Sequence, residues 1–255
     1  MDIQIRQGDL TQISCDVLIV NLFEGVAIPG GATGAVNLAL DGWLADQITE
    51  QQFKGKLNSI LDVPTFGNIP AKRVLVVGLG KRETFGTEQI RQSTASAIKR
   101  AKELKARTVA TLLHGAGIAG LPTVECAQAV TEGVLLGGYA FDKYKSAPAD
   151  EPKTEIESVI IVEIDATKLS DVEAGVYKGQ IIADAANLTR DLANEPPDLI
   201  TPGELARIAR DKTGLKTLCM SGGVTLNCSA NGKLLQSGLF DDYYFQPAAS
   251  DAGAG

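Results

Sequence analysis

The sequence has one histidine, His114, and its four cysteines include no Cys-x-x-Cys pair. Catalysis through a Ser-His-Asp or Cys-His arrangement would have to use His114, which ends an apolar run and reads as a structural residue. Cys15, Cys126, Cys219 and Cys228 are too scattered for a zinc site or a disulfide framework. Most are expected to be reduced, buried small hydrophobes in a cytoplasmic protein. No apolar run is long enough to span a membrane, and no basic segment precedes an apolar stretch at Met1 as a secretory signal requires. Basic side chains are also short: 24 against 31 acidic ones give a net charge of −7, so nucleic acid is not expected as a general partner. Aromatic residues make up only 5%, yet 44% of the 255 residues are hydrophobic, which excludes a disordered chain and allows one large or two modest domains.

Short apolar runs alternate with helical repeats. Ile3–Ile5 opens as a strand, and Asp16-Val17-Leu18-Ile19-Val20-Asn21 is a continuous run of the kind found in strands covered on both faces. Arg73–Gly78, Thr108–Leu113 and Ser158–Ile164 read as further strands. Val36, Leu40, Trp43, Leu44 and Ile48 fall at helical spacing, with Thr33 as the expected N-cap. Other helices are predicted from Thr87 to Leu104, from Pro122 to Tyr139, and from Ser170 to Ala193, where Pro196-Pro197 stops the last. Asp142–Glu157 is polar and reads as an exposed connection. The alternation predicts an α/β fold with a parallel or mixed sheet. Past Leu215 the pattern thins, and the glycine-rich Ala252–Gly255 reads as a truncated end, because about 40 residues bury too little surface to fold alone.

Several motifs invite a chemical reading. Gly115-Ala116-Gly117-Ile118-Ala119-Gly120 matches GxGxxG after a strand, but no acid ends a second strand about twenty residues on, so a loop is favoured over dinucleotide binding. Gly78-Leu79-Gly80-Lys81-Arg82 lacks the Ser or Thr of a phosphate loop and reads as a strand-to-loop turn. Gly175, Gly179 and Ala183 fall four apart on one helix face, a packing device. Asp184, Asp191 and Glu195 stand in no ligand pattern and read as a solvated face. Lys99, Arg100, Lys102, Lys105 and Arg107 form the wet side of an amphipathic helix, with a weak nucleic-acid contact as the sharper alternative.

Longer stretches carry resemblances. Arg73-Val74-Leu75-Val76-Val77-Gly78-Leu79-Gly80-Lys81, Leu136-Gly137-Gly138-Tyr139-Ala140-Phe141-Asp142-Lys143-Tyr144-Lys145 and Ala186-Asn187-Leu188-Thr189-Arg190-Asp191-Leu192-Ala193-Asn194-Glu195-Pro196-Pro197 resemble the leucyl aminopeptidases of the M17 family, over roughly residues 1–215. The resemblance implies an N-terminal macro-like α/β domain joined by a long helix to a catalytic domain with two divalent metals, zinc or manganese. It also implies a cytoplasmic homo-oligomer, hexameric in the family, some of whose bacterial members bind DNA. The family's metal-ligand segments, Lys-Gly-x-x-Phe-Asp-Ser-Gly-Gly and Asn-Thr-Asp-Ala-Glu-Gly-Arg, are not in this sequence. No catalytic residue, metal ligand or cofactor is therefore assigned, and the chain is expected to be inactive.

Leu218-Cys219-Met220-Ser221-Gly222-Gly223-Val224, Phe240-Asp241-Asp242 and Gln246-Pro247-Ala248-Ala249-Ser250-Asp251 resemble carbamoyltransferases of the actin-like ATPase fold. The resemblance implies Gly222, Gly223 and Asp251 as remnants of a nucleotide site. Gly8-Asp9-Leu10-Thr11, Asp16–Asn21 and Gly30-Gly31-Ala32-Thr33-Gly34-Ala35 resemble the opening of macro domains that bind ADP-ribose, although Leu22-Phe23-Glu24 stands where those have Ala-Ala-Asn. The expected organisation is a macro-like mixed sheet flanked by helices over residues 1–150, a linker, strand and bridging helix over 151–215, and a carbamoyltransferase-like fragment over 216–255 that is not an independent domain. The leading expectation is the non-catalytic N-terminal region of an aminopeptidase. The alternatives are an ADP-ribose-type binding module and a carbamoyltransferase-related fusion remnant.

Overall fold

A computed structural model describes residues 1–116, 120–145 and 155–246. The chain divides into two compact units, Met1–Leu188 and Thr189–Gly255. In the first, the elements run β1 (Asp2–Gln7), β2 (Val17–Leu22), α1 (Gly31–Ala39), α2 (Trp43–Glu50), β3 (Ile60–Pro64), β4 (Arg73–Gly78), α3 (Thr87–Glu103), β5 (Thr108–Leu112), α4 (Thr123–Gly138), β6 (Ser158–Glu163) and α5 (Leu169–Asn194), the division falling within α5. The strands form a six-stranded sheet in the order β1-β6-β5-β2-β4-β3. Neighbours are parallel except β3, which runs antiparallel to β4. The mixed sheet flanked by helices agrees with the macro-like α/β expectation. Strand β3 was not anticipated; it sits at the sheet edge, where Pro64 is tolerated.

The run Val17–Leu22 forms a strand because both faces are covered and both edges paired, with β4 on one side and β5 on the other. Val17 and Ile19 point into one core with Ile90, Ile98, Val130 and Val172 from α3, α4 and α5. Leu18 and Val20 point into the second, with Val36 of α1, Leu40 just after it, and Leu44 and Ile48 of α2. Asp16, just ahead of β2, sets the register. Its carboxylate accepts from the backbone N–H groups of Arg107 and Thr108 at 2.9 and 3.0 Å and pairs with Lys72 at 2.6 Å.

The single helix expected from Thr33 to Ile48 is two. Asp41 (φ 51°) and Gly42 (φ 88°) turn the chain between α1 and α2, and the Asn37 side chain accepts from Ala45 N–H at 2.8 Å to cap the second helix. The apolar spacing continues across the corner because both helices pack on one sheet face, so periodicity alone concealed the break. Thr33 is not the N-cap. Gly30 holds that position, and Thr33 lies inside α1 with its hydroxyl donating to the Asn21 carbonyl at 2.7 Å.

Helices α3, α4 and α5 meet backbone to backbone. A Cβ at Gly133 of α4 would stand 2.7 Å from Arg91 O of α3, and one at Gly137 would stand 2.6 Å from Ala95 Cα. On the other side of α4, a Cβ at Gly179 of α5 would stand 2.7 Å from Thr131 Cβ, so the small-residue face of Gly175, Gly179 and Ala183 is the packing surface expected. Buried Glu132 of α4 pairs with Arg91 of α3 and accepts from Gln128 at 2.8 Å.

The second unit contains α6 (Pro202–Thr213), β7 (Thr217–Met220), α7 (Cys228–Gln236) and β8 (Asp242–Phe245), with β7 and β8 parallel. Thr201 caps α6 by accepting from Glu204 N–H at 3.3 Å, Pro202 opens the helix and Gly214 closes it at φ 66°. Ala206, Leu234 and Phe240 form a small core with Leu218, Met220, Leu239 and Tyr243 around it. Among the described residues, no helix is long and apolar enough to cross a membrane.

Replacing Gly137 by Ala forces a methyl into the backbone of α3. Urea unfolding of this variant is expected to show a loss of about 1–3 kcal/mol, against no loss if the helices can separate freely.

Candidate functional site

Strands β1, β6, β5 and β2 all present their carboxyl ends to one edge of the sheet. After β2 the chain moves towards β4 and β3, and after β5 towards β6 and β1, so the topology switches between β2 and β5. Open α/β sheets hold ligands at such a point, where diverging connections leave a crevice. Here the crevice is a cleft of about 420 Å³. Gly31, Ala32 and Ala35 of α1 line it together with Leu112 at the end of β5 and Leu113 and Ala116 after it. Val162, Glu163, Ile164 and Lys168 follow from the end of β6, and Gly8, Asp9 and Leu10 from the end of β1.

Two backbone-fixed carboxylates belong to this lining. Asp9 Oδ1 accepts from the Thr11 N–H and from the Thr11 hydroxyl, both at 2.9 Å. Glu163 Oε1 accepts from Asp165 N–H at 3.0 Å. Among the described residues neither carboxylate forms an ion pair. Lys168 stands 3.7 Å from Asp165, which also caps its own turn through Thr167 N–H at 3.0 Å. Sequence reading found Gly8, Asp9 and the Gly30–Ala35 stretch but missed Glu163, Ile164 and Lys168, whose only local signal is their place just past a buried strand.

The walls join at a buried polar node. Asn21 is the penultimate residue of β2, and its side-chain nitrogen lies 3.0 Å from His114 Nδ1, so a neutral imidazole with its proton on Nε2 accepts there. The Asn21 carbonyl accepts from Thr33, tying the same residue to α1. His114 is fully buried, and its Nε2 has no hydrogen-bond partner among the described residues. Burial alone brings its pKa down from 6.5 to about 4.

The other sequence candidates fall as follows. Leu22 and Phe23 are core residues: Phe23 stacks edge-on against Phe85 at 4.9 Å under the Arg82 guanidinium. Glu24 donates its N–H to Gly80 O at 2.9 Å and does not line the cleft. Of the GxGxxG segment, Gly115 (φ 86°) packs against Phe85 and Gly120 has φ 69°, while residues 117–119 lie outside those described. Gly222 (φ 88°) turns the chain into a 3-10 segment, Gly223–Leu226, and its carbonyl accepts from Thr225 N–H at 3.1 Å. Asp251 lies outside the described residues. Asp184 is exposed on α5, and the described residues bring no three His, Cys, Asp or Glu side chains together as metal ligands.

The basic run is partly neutralised within the fold. Arg100 pairs with Glu103 and Asp62, Arg107 with Glu157, and Lys102 donates to Gly138 O at 2.7 Å. Two of the four thiols are buried as expected, Cys15 and Cys126, with pKa values pushed up by burial to about 12 and about 11. Cys219 and Cys228 are exposed, contrary to the expectation for most of them, because they lie in the small second unit with little apolar cover.

The architecture defines a macro-like α/β domain: the Trypanosoma brucei macrodomain in complex with ADP-ribose superposes at a TM-score of 0.53, with 16% identity over 67% of this chain and 67% of its own. Residues 19–148 match the family model of the cytosol aminopeptidase family, N-terminal domain, and the chain belongs to that family. A probable cytosol aminopeptidase of Roseiflexus castenholzii is 34% identical over 212 residues, 83% of this chain and 40% of the relative. One from Sulfurihydrogenibium is 33% identical over 210 residues, 82% of this chain and 40% of the relative. This chain thus spans about two fifths of the length of the curated relatives it matches. Among solved structures, a point mutant of tomato leucine aminopeptidase gives a TM-score of 0.70 at 22% identity, covering 84% of this chain and 42% of its own. The bottromycin maturation enzyme BotP gives 0.60 at 26%, covering 79% and 38%. Residues 198–255 match a second model, the carbamoyltransferase N-terminus.

The folded chain keeps His114 neutral down to about pH 4, whereas the unfolded chain protonates it near 6.5. The unfolded state therefore gains the proton first as pH falls, and the stability due to neutral His114 is complete above pH 7 and lost between 6.5 and 4. Denaturant unfolding across that range is expected to show a drop of about 3 kcal/mol, flattened in His114→Gln. An unchanged slope in the variant would remove His114 as its source.

Proposed function

We propose that this chain is a non-catalytic N-terminal region of an aminopeptidase-type metallopeptidase, whose parent reaction releases N-terminal amino acids from peptides. The observation that carries the reading is the match of residues 19–148 to the N-terminal domain of the family, with relatives aligned over only about two fifths of their length. The family's chemistry rests on a pair of divalent metals, and the donors here do not fit such a pair. Asp184, Asp191 and Glu195 are strung along α5 and the residues just after it, and the described residues form no cluster of three ligating side chains. No catalytic step is derived through metals.

Within the same reading, residues 1–150 form the macro-like domain, 151–215 the linker, strand and bridging helix, and 216–255 a carbamoyltransferase-like fragment. Gly222, Gly223 and Asp251 are remnants of that fragment's nucleotide site, a reading supported by the second family match. A cytoplasmic location and a homo-oligomer complete the proposal, supported by the cytosol aminopeptidases among the relatives.

Nucleoside-diphosphate binding in the cleft is the second reading, favoured by the position of the cleft at the switch point. Its support is thinner, because Leu22 and Phe23 are committed to the core and the described lining carries two carboxylates to one lysine.

Incubated with leucine p-nitroanilide and added manganese or zinc, the purified chain is expected to release no p-nitroaniline above the blank. Sustained turnover that disappears with chelator would overturn the proposal.

A further inference from the structure

We propose that β1, an edge strand of the six-stranded sheet, pairs antiparallel with β1 of a second copy, so that Asp2 faces Arg6 of the partner subunit across a twofold axis. The inference rests on the homo-oligomer proposed above and names one contact through which copies meet.

Strand β1 ends the sheet, with β6 on one side and no described strand on the other. Its register against β6 is unbroken from Asp2 to Gln7, and it contains no proline, so a continuous row of backbone groups faces outward. Asp2 and Gly8 donate their N–H groups to the carbonyls of Glu157 and Glu163 on the β6 side, at 2.8 and 3.1 Å. Even-numbered residues of β1 therefore bond inward, and Ile3, Ile5 and Gln7 turn their N–H and C=O groups to the open edge. The opposite edge of the sheet is guarded. There β3 carries Pro64, and its Asp62 is held by Arg73 and Arg100.

The charges and apolar residues of β1 complement themselves when the strand is reversed. Setting Gln4 against Gln4 of the partner subunit puts Ile3 opposite Ile5 of the partner subunit and Asp2 opposite Arg6 of the partner subunit. The isoleucines then occupy the outward-bonding positions, where opposed residues exchange both N–H···O bonds, about four in all. Asp2 and Arg6 occupy the alternate positions, where opposed side chains stand closest. Both charges are available: Asp2, Gln4 and Arg6 are exposed, and neither Asp2 nor Arg6 forms an ion pair among the described residues. Asp2 accepts from the Gln4 side chain at 2.9 Å, on the same face of the strand. Ile3 and Ile5 pack half-buried against the core of α3, α4 and α5, and pairing covers what they still expose.

Other alignments lose this match. Sliding the antiparallel pair by two residues sets Asp2 or Arg6 against Gln4 of the partner subunit and parts the opposite charges. Sliding it by one opposes outward-bonding residues to inward-bonding ones. A parallel pair in register places like charges side by side and does not close on a twofold axis. Charges on an edge strand repel most other strands. Here their opposite signs at mirrored places admit a second copy.

The test is sedimentation of the full chain and of three variants: Asp2→Arg, Arg6→Asp, and the double exchange that carries both. The altered side chains are exposed, so all three are expected to fold, as circular dichroism will verify. The unaltered chain is expected to dimerise with a Kd of about 10–100 µM. Each single exchange opposes like charges and is expected to weaken the dimer at least about tenfold, and the double exchange to restore it to within about threefold. Amide hydrogen exchange at Ile3 and Ile5 is expected to slow as the concentration rises through the Kd. A monomer at about 1 mM, an oligomer that neither single exchange weakens, a double exchange no tighter than the single ones, or exchange at Ile3 and Ile5 independent of concentration would each overturn the proposal. An oligomer indifferent to these variants removes this contact and leaves the proposed homo-oligomer standing, whereas a monomer removes both.

Discussion

A strand buried on both faces has no solvent in which to leave a polar side chain, and β2 carries one, Asn21, just before its last residue. That amide therefore has to find a partner inside the protein, and it finds His114 after β5. The backbone carbonyl of the same residue takes the Thr33 hydroxyl of α1, so Asn21 touches both elements that frame the cleft. The apolar stretch Val17–Val20 supplies the burial, and the polar residue that follows converts it into a fixed geometry for the walls. Loss of the node would leave a buried amide and a buried imidazole unsatisfied together.

The helices on one face of the sheet are held by a different device. Gly133 and Gly137 bring α4 against the backbone of α3, and Gly175 and Gly179 bring α5 against α4 from the other side. Close approach removes side-chain volume but gains dispersion contacts along the whole helix. The Arg91–Glu132 pair then crosses the α3–α4 seam with the acid fully buried and bonded also to Gln128, so its charge is compensated where water cannot reach. This layer belongs to the scaffold, and none of its glycines lines the cleft.

Membership of the cytosol aminopeptidase family and the macro-like fold therefore describe one object from two directions. The fold supplies a crevice at the sheet edge whatever the chain does with it, and function depends on the side chains that line it. In this chain the described lining is small and apolar, with two carboxylates and one lysine.

Much of the first unit was legible before folding. The buried runs at Val17, Arg73, Thr108 and Ser158 became β2, β4, β5 and β6, since strand-length apolar segments separated by helical repeats have few other ways to hide. Helix α5 and its glycine face were readable from four-residue spacing and from the double proline that follows. Strand β3 escaped notice because an edge strand is only half buried and its alternation spans few residues. The corner at Asp41-Gly42 escaped because two helices on one face preserve one apolar rhythm.

The sequence by itself determined the fold class and the family, since both rest on local periodicity and on motifs contiguous in the chain. Only the tertiary structure decided that Asn21 would meet His114 and that Asp9 would share a cleft with Glu163. Those residues lie on different strands, and sheet order, set by how the helices cover the two faces, brings their ends together.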